Sequence, residues 1–430
     1  MFEYFYIPVI LILYVRTWRY NYLIDDPVGR DEYLYSLSVK VLYPWYNRRR
    51  TVLATATNIG VFISSCAYVH LLFGWKAALL FSVFPLNVVG VAWITGNYYM
   101  STVLLVLAAW YWLIHGVPLA AMAFYGAALN STLLSIPFIV PALFFPQGWL
   151  CSIPLLAFLS GKRLRTGLGL RKKNHDEMGL VSGFAWKNFY HVPRVLAYYI
   201  YLSVWPVRLG FFHSFGKKSE QQTWKFWWLS VAVVLSFALM AALIDWKIAL
   251  CWFAFMGLFS QFIILGQFVT ERYMLIANVF FCALLVAVLP YELFLVLAAL
   301  YFCKTLSYIP AWKDNERLFG YSAAQFPDCA ENWVNFASYY IERGDRFTAI
   351  KPLLLAERLT VGNKYGIYVD LANCYASGGF FEKALLWTDK ALECATIDKV
   401  PEMVEQKDRL KSKIMLMEHG QKRLKKMGVI

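Results

Sequence analysis

The feature that most constrains this chain is the recurrence of long apolar stretches from its N-terminus to about residue 310. The stretches are roughly 15 to 25 residues long, and a helix of about 20 apolar residues crosses a hydrocarbon core about 30 Å thick. Hydrophobic residues make up 60% of the 430 positions and charged residues only 16%, so water is not the main solvent of this region. The sequence therefore predicts an all-α, polytopic helical bundle in a membrane.

About eleven spans fit this pattern, and they cover residues 2–16, 52–73, 77–94, 99–115, 118–135, 137–160, 193–210, 225–243, 247–266, 273–290 and 292–310. Pro137, Pro141, Pro146 and Pro154 bend or break helices, so 118–160 holds either two spans or three with one short or re-entrant. The first stretch has no basic residue before it and no small-residue cleavage site after it, which favours a retained span over a signal peptide.

The distribution of basic residues predicts the topology. Loop 161–192 opens with a cluster of Lys and Arg, which indicates that it is cytoplasmic. With two spans in 118–160, loop 17–51, Glu271 with Arg272, and everything after residue 311 lie together on the extracytoplasmic side. Basic residues outnumber acidic ones in loop 17–51, against the charge rule. Either this topology is wrong or these cations have a function.

Several function classes are disfavoured by composition and motifs. The formal net charge of +14 is explained by basic loops and by contact with membrane lipids, so we expect no nucleic-acid partner. The eight cysteines show no metal-ligand spacing, and the histidines, His213 among them, are interpreted as satisfied or solvated. The chain carries neither a P-loop motif nor a dinucleotide-binding motif, which argues against a nucleotide-driven pump.

After Trp312 the composition becomes that of a soluble domain, and a repeat of 35 residues is visible. Small and aromatic residues recur at this spacing, in the pairs Trp333 and Tyr368, Ala337 and Ala372, Tyr340 and Tyr375, Gly344 and Gly379, Ala349 and Ala384, and Ala356 and Ala391. This pattern is similar to the tetratricopeptide repeat. We predict two repeats, capped by 311–330 and a basic helix near 399–427 or resting on the membrane domain; a plain helical bundle is the alternative. The predicted domains are 1–310 and 311–430.

An acidic pair, Asp25-Asp26, follows the first span and precedes Pro27. Two adjacent carboxylates at a membrane boundary are costly unless they are solvated, paired or bound to a metal. The pair is either a solvated turn with Pro27 and Gly29, a general base for an acceptor hydroxyl, or a site for a divalent cation such as Mg²⁺ or Mn²⁺ beside a phosphate leaving group. The spacing does not choose between these readings.

A basic cluster, Arg48-Arg49-Arg50, closes the same loop. It is either an interfacial anchor for lipid headgroups or a set of cations that stabilises a departing lipid phosphate. A second charged segment, Glu271-Arg272-Tyr273, stands at the junction of two spans. It is either an internal ion pair at a helix end or a further contact for phosphate or sugar.

The order of segments along the chain adds a resemblance. After the acidic pair and a basic residue entering the second span come Val91-Ala92-Trp93-Ile94-Thr95-Gly96, Pro193-Arg194, Thr270-Glu271-Arg272-Tyr273-Met274 and the repeat tail. This order resembles the transmembrane and tetratricopeptide-repeat-containing O-mannosyltransferases and their bacterial relatives, within the GT-C class of glycosyltransferases. The likeness covers nearly the whole chain. It departs at Asn97-Tyr98-Tyr99, where relatives often carry Arg-Ala-Asp, and at Asn130-Ser131, where they often carry Lys-Glu.

The resemblance implies a transferase with its catalytic acid in the first extracytoplasmic loop and a polyprenyl-phosphate-linked sugar as donor. It implies inversion at the anomeric carbon and a hydroxyl acceptor, which we expect to be on a protein held by the repeat domain. The implied site residues are Asp25 and Asp26 in catalysis, Arg272, Arg48, Arg49 and Arg50 at the donor phosphate, and Glu271 and Tyr273 in support.

Three other interpretations stay open at this point. The enzyme would decorate a surface polysaccharide or lipid, or the chain is a non-enzymatic membrane scaffold that recruits partners through its repeats, or it is a flippase for lipid-linked sugar. Short loops and the absence of targeting signals favour a bacterial plasma membrane, with the endoplasmic reticulum membrane as the eukaryotic counterpart.

Overall fold

The computed structural model describes residues 4–19, 50–93, 96–160, 191–213, 224–258, 260, 269–360, 363–397 and 399–426. Within these ranges the chain is helical and contains no strand, apart from an isolated β-bridge between His213 and Val269. The all-α prediction is therefore confirmed. The chain divides into two compact units, and among the described residues the first ends at Leu318 and the second begins at Phe319.

The described ranges of the first unit are built mainly from α-helices. In chain order they are α1 (Tyr6–Tyr14), α2 (Arg50–Phe73), α3 (Trp75–Val83), α4 (Val88–Ala92), α5 (Asn97–Ile114), α6 (Pro118–Ser131), α7 (Ile139–Ala142), α8 (Ser152–Ser160), α9 (Val192–Val204), α10 (Trp224–Gly257), α11 (Leu275–Val288) and α12 (Tyr291–Tyr308). Short 3-10 turns connect several of them, at Val15–Arg19, Pro85–Asn87, Leu133–Phe138, Gly148–Cys151, Glu271–Met274 and Ile309–Lys313.

Among the described residues, four helical segments are long and apolar enough to cross a membrane: Thr55–Phe73, Asn97–Ile114, Trp227–Gly257 and Tyr291–Lys313. A bent pair formed by Trp75–Val83 and Pro85–Ala92 is a fifth if it is counted as one span. These helices are what a membrane-associated protein requires.

The span predicted at 77–94 is not straight, because its two halves meet at an angle of 63°. Phe84 has an extended backbone, with φ −68° and ψ 120°, and Pro85 follows it. The residue before a proline is pushed out of the helical region, and proline has no N–H to continue the helix. Apolar composition therefore predicted the length of this segment but not its bend.

The helix α10 contains a second break. Asp245 has φ −156° and ψ 104°, so it interrupts the regular helix between the spans predicted at 225–243 and 247–266. Its carboxylate accepts hydrogen bonds from the backbone N–H groups of Lys247, at 2.9 Å, and Ile248, at 3.2 Å. This arrangement caps the start of the following helical segment.

In the second unit, α13 (Asn315–Gln325), which begins four residues before the unit boundary, leads into two helical hairpins and a long final helix. The hairpins are formed by α14 (Ala330–Glu342) with α15 (Arg346–Leu359) and by α16 (Tyr365–Ser377) with α17 (Phe381–Cys394), and the final helix is α18 (Val400–Lys426). Each helix of the second hairpin begins 35 residues after its counterpart in the first. The alanines that the sequence pairs at this spacing are buried, namely Ala337, Ala349, Ala356, Ala372, Ala384 and Ala391.

Candidate functional site

The candidate site lies around the 3-10 turn Glu271–Met274, which begins directly before α11. Thr270 has an extended backbone and ends the preceding segment, so the turn starts the helix without a side-chain cap. The turn packs against the turn Pro85–Asn87 and against α4. Helix α4 in turn packs against the turn Ile309–Lys313 at the end of α12. Three segments distant in sequence therefore meet here.

Glu271 is held by three hydrogen bonds inside the first unit. Its carboxylate oxygen Oε1 accepts from the backbone N–H of Gly210, at 2.8 Å, and contacts Nε2 of His213, at 3.1 Å. The other oxygen, Oε2, accepts from the hydroxyl of Tyr308, at 3.1 Å. The side chain is 2% exposed, and a buried carboxylate is tolerated only when its oxygens are bonded in this way.

His213 extends this network. Its Nδ1 lies 3.0 Å from the hydroxyl of Tyr198, while its Nε2 faces Glu271. When Nε2 carries the proton that is donated to Glu271, Nδ1 of the neutral ring accepts from Tyr198. The network thus joins α9, the segment after it, the turn at Glu271 and the end of α12. Glu271 acts as an internal anchor in this arrangement.

Arg272 points its guanidinium among four aromatic rings. Its Cζ atom lies 5.9 Å from the ring centroid of Trp93, 5.8 Å from those of Tyr99 and Phe211, and 5.7 Å from that of Tyr273. Guanidinium groups are attracted to ring faces at such distances and stay charged at physiological pH. The half-buried cation is therefore fixed in position, and its planar fork suits the oxygens of a phosphate.

Trp93 is itself fixed by backbone bonds and ring packing. Its carbonyl accepts from Nδ2 of Asn58, at 2.9 Å, and its ring packs against Phe211, at 5.4 Å, and Trp312, at 6.4 Å, between centroids. Asn58 also accepts at Oδ1 from Nδ2 of Asn97, at 2.7 Å. Asn97 and Tyr99, where the chain departs from the resembled family, thus both take part in this site.

Gly96 ends the segment that begins at Val91. A Cβ atom at this position would lie 2.2 Å from the carbonyl oxygen of Val89 and 2.8 Å from that of Trp93. Neither backbone atom has room to move without shifting the turn, so only glycine fits between α4 and α5. This close approach explains the glycine at the end of segment 91–96; Ile94 and Thr95 lie outside the described residues.

Most of the other predicted site residues lie outside the described residues, namely Asp25, Asp26, Arg48 and Arg49. Arg50 begins α2, and its side chain is also outside the described part. The described turn that precedes them, Val15–Arg19, packs against α2 and against the turn Ile309–Lys313. The last described residues before Asp25 and Asp26 therefore lie beside the turn that carries Trp312.

Sequence reasoning missed several residues of this site. His213 was interpreted as a satisfied or solvated side chain, and it is indeed satisfied, by Tyr198 and Glu271, but its place in this site was not predicted. Of the four rings around Arg272, that of Tyr273 was predicted to support the site, and Trp93 and Tyr99 were noted only as positions in the resemblance. Phe211 was not singled out, because its partners are far away in sequence. One sequence signal for an aromatic site around Arg272 was available, namely a basic residue at a predicted span junction together with Tyr and Trp near the ends of other predicted spans.

Among the described residues, no group of three or more His, Cys, Asp and Glu side chains is arranged to hold a metal ion. The cation expected at Asp25 and Asp26 falls outside this part of the chain. In comparisons with known proteins, no protein-family model, curated protein or solved structure matches the chain.

Proposed function

We propose that this chain is a multi-pass membrane glycosyltransferase of the GT-C type, which transfers a sugar from a polyprenyl-phosphate donor to a hydroxyl group of a protein on the extracytoplasmic face. The observation that carries the proposal is the position of Arg272 beside Trp93. The two residues belong to the two most specific segments of the sequence resemblance, and they come together in one half-buried aromatic site.

The proposed reaction is a direct displacement at the anomeric carbon. One of Asp25 and Asp26 removes the proton from the acceptor hydroxyl, whose oxygen forms the new glycosidic bond. The bond between the anomeric carbon and the phosphate oxygen breaks, and the electron pair leaves with the lipid phosphate. Arg272 stabilises the charge that develops on this leaving group, because a preorganised cation acts most strongly where water is excluded.

The neighbourhood of loop 17–51 supports this assignment. The turn Val15–Arg19 leads into the loop that holds the acidic pair, and it packs against the turn of Trp312 in the aromatic cluster that also contains Trp93. In the proposal, Arg48, Arg49 and Arg50 add positive charge for the donor phosphate. Glu271 and Tyr273 support Arg272 from its own turn.

The second unit has a separate role in the proposal. Two hairpins offset by 35 residues, with buried alanines at matching positions, are proposed to be tetratricopeptide-like repeats. They would present an extended protein segment as acceptor. We also propose that about eleven spans build the membrane domain and that the donor lipid is undecaprenyl phosphate in a bacterium or dolichyl phosphate in a eukaryote.

The test is intact-mass spectrometry of surface proteins and glycans from cells that express the wild type, Asp25→Asn, Asp26→Asn or the control Asp328→Asn. Asp328 is an exposed carboxyl in the second unit, so its replacement controls for charge and expression. A sugar-sized mass on protein is expected with wild type and control, and it is expected to vanish with at least one of the two loop variants at equal accumulation.

Each rival function predicts a different result. A mass that appears only on glycan or lipid would move the acceptor from protein to that class. A flippase would translocate labelled lipid-linked sugar without any new glycosidic bond. A scaffold would retain its partners in both loop variants, and persistence of the sugar mass in both would refute the catalytic assignment.

A further inference from the structure

The last helix of the second unit, α18, is longer than its neighbours and only partly packed. It has 27 residues, against 14 in α17, which corresponds to about 40 Å of helix. Met403 and Leu410 are buried, and Nζ of Lys407 lies 2.7 Å from the carboxylate of Asp389. The helix is therefore held against the second hairpin by its first turns, up to Leu410.

Beyond Leu410 the helix leaves this support. Between 411 and 422, only Ile414 is half-buried, and the other side chains are exposed. Three consecutive apolar residues are among them, with Met415, Leu416 and Met417 exposed at 61%, 72% and 49%. Large apolar side chains in an unbroken exposed run are costly in water and mark a contact surface.

The same segment is strongly basic. Residues 411–426 contain six Lys or Arg and a single acidic residue, Glu418. The basic residues flank the apolar run, with Lys411 and Lys413 before it and the others between 422 and 426. An apolar centre between basic ends favours a surface that offers both anionic groups and an apolar interior.

The helical state of this extension also calls for an external contact. Gly420 lies inside it with no atom near its Cβ position, and a glycine inside a helix costs about 1 kcal/mol relative to alanine. Most helical stability in proteins comes from tertiary packing, and between 411 and 422 only Ile414 is half-buried. A surface that binds the extension would supply the missing stabilisation.

We propose that residues 411–426 bind the anionic headgroups of the membrane in which the chain is anchored. Lys411, Lys413 and Lys422 contact lipid phosphates, while Met415, Leu416 and Met417 enter the headgroup region. Nucleic acid offers the charge but no apolar layer for the three central residues. Covalent attachment to the apolar helices keeps the membrane at high effective concentration, so weak individual contacts suffice.

This inference is independent of the proposed transfer reaction. It is tested by hydrogen–deuterium exchange of the full-length protein in nanodiscs of phosphatidylcholine alone and of phosphatidylcholine with phosphatidylglycerol. Amides in 411–426 are expected to exchange at least about tenfold more slowly in the anionic discs, since each Lys or Arg at such a surface contributes about a fivefold gain in binding and two of them already exceed that figure.

Two double variants make the test specific. Lys413→Glu with Lys422→Glu is expected to abolish the difference between the discs. The matched control, Lys351→Glu with Lys383→Glu, reverses the same charge at exposed positions of α15 and α17 and is expected to leave the difference intact. Leu416→Gln is expected to reduce the protection without removing its dependence on lipid charge.

The inference is overturned if 411–426 exchanges equally in the two kinds of disc, or if the charge-reversed segment stays protected. Protection that appears in neutral discs and rises with protein concentration would assign the surface to a second copy of the chain. Protection by added RNA in the absence of anionic lipid would equally reject the membrane as its partner.

Discussion

The guanidinium carbon of Arg272 lies 5.9 Å from the ring centroid of Trp93, although 179 positions separate the two residues in the sequence. Phe211 lies against both of them, at 5.8 Å from the guanidinium carbon and 5.4 Å from the Trp93 ring. Lysine has neither the planar fork nor the stacking surface of arginine, so we expect that lysine cannot replace Arg272 among these rings.

If the proposed function is right, Arg272→Lys is expected to lower transfer from a polyprenyl-phosphate donor by about 10²-fold, which is typical for the loss of one stabilising donor at a developing charge. The measurement is the rate of sugar transfer by purified protein at saturating donor. Arg317→Lys, at a side chain that is 54% exposed, is the matched control and should retain full activity. Equal rates for both variants would remove Arg272 from the reaction.

Gly96→Ala is expected to destabilise the first unit by about 1–3 kcal/mol, the usual range for overpacking. The added Cβ would lie 2.2 Å from the carbonyl oxygen of Val89. Gly60→Ala is the control because no atom lies within 4 Å of its Cβ position in α2, so this change should be neutral or stabilising. The midpoints of thermal unfolding in detergent should differ between the two variants; matching midpoints would show that the turn at Gly96 adapts.

Glu271→Gln is expected to destabilise the first unit by about 1–3 kcal/mol. The change replaces one carboxylate oxygen by an NH2 group, which cannot accept a hydrogen bond from the buried donors that face it. The donors are the N–H of Gly210, His213 and the hydroxyl of Tyr308. Glu292→Gln, at an exposed position in the first turn of α12, should shift the thermal midpoint far less. An unchanged thermal midpoint for Glu271→Gln would show that the network does not depend on the carboxylate charge.

Asp370→Asn is expected to stabilise the second unit at neutral pH. Burial raises the pKa of the Asp370 carboxyl, so the folded state holds its proton more tightly than the unfolded chain. The stability associated with the protonated form is lost as the pH rises through the folded pKa. Thermal unfolding of the second unit is monitored by limited proteolysis of the full chain. The variant should have a higher midpoint of unfolding than the wild type at pH 7, and the difference should disappear in acid. A gain of equal size at every pH would point to packing instead.

Glu357→Gln is expected to destabilise the second unit at neutral pH, the opposite of Asp370→Asn. Burial acts to raise the pKa of Glu357, but the hydrogen bonds from Lys364, at 3.1 Å, and from the hydroxyl of Tyr368, at 3.3 Å, outweigh it and lower the pKa. The stabilisation is present at neutral pH and is lost as the pH falls through the folded pKa. The free energy of unfolding of the variant should therefore be lower than that of the wild type by about 0.5–1 kcal/mol at pH 7 and unchanged in strong acid. A loss that persists in acid would contradict the electrostatic origin.

The helical class of this protein was predictable because apolar runs of span length and the 35-residue spacing are local properties of the sequence. The same reasoning predicted that Glu271 and Arg272 stand at a span junction, and the structure has them in the turn directly before α11. It did not find His213 or Phe211, since their role comes from contacts with residues about 60 positions away. It also missed the bend after Phe84, because hydropathy measures composition and is blind to backbone direction.

The bend at Phe84 leaves the backbone carbonyl of Val83 without its helical partner, since the N–H of Asn87 donates to Phe84 instead. Polar side chains from other helices bond to this segment. The hydroxyl of Thr305 donates to the carbonyl of Val83, at 2.6 Å, and Nδ2 of Asn278 donates to Oδ1 of Asn87, at 3.1 Å. Lipid offers no substitute donor at such a place. The bend therefore depends on two pairs of residues, Val83 with Thr305 and Asn87 with Asn278, and one member of a pair cannot be changed without the other. If one of these helices were grafted into another protein, its partner helices would have to be grafted as well.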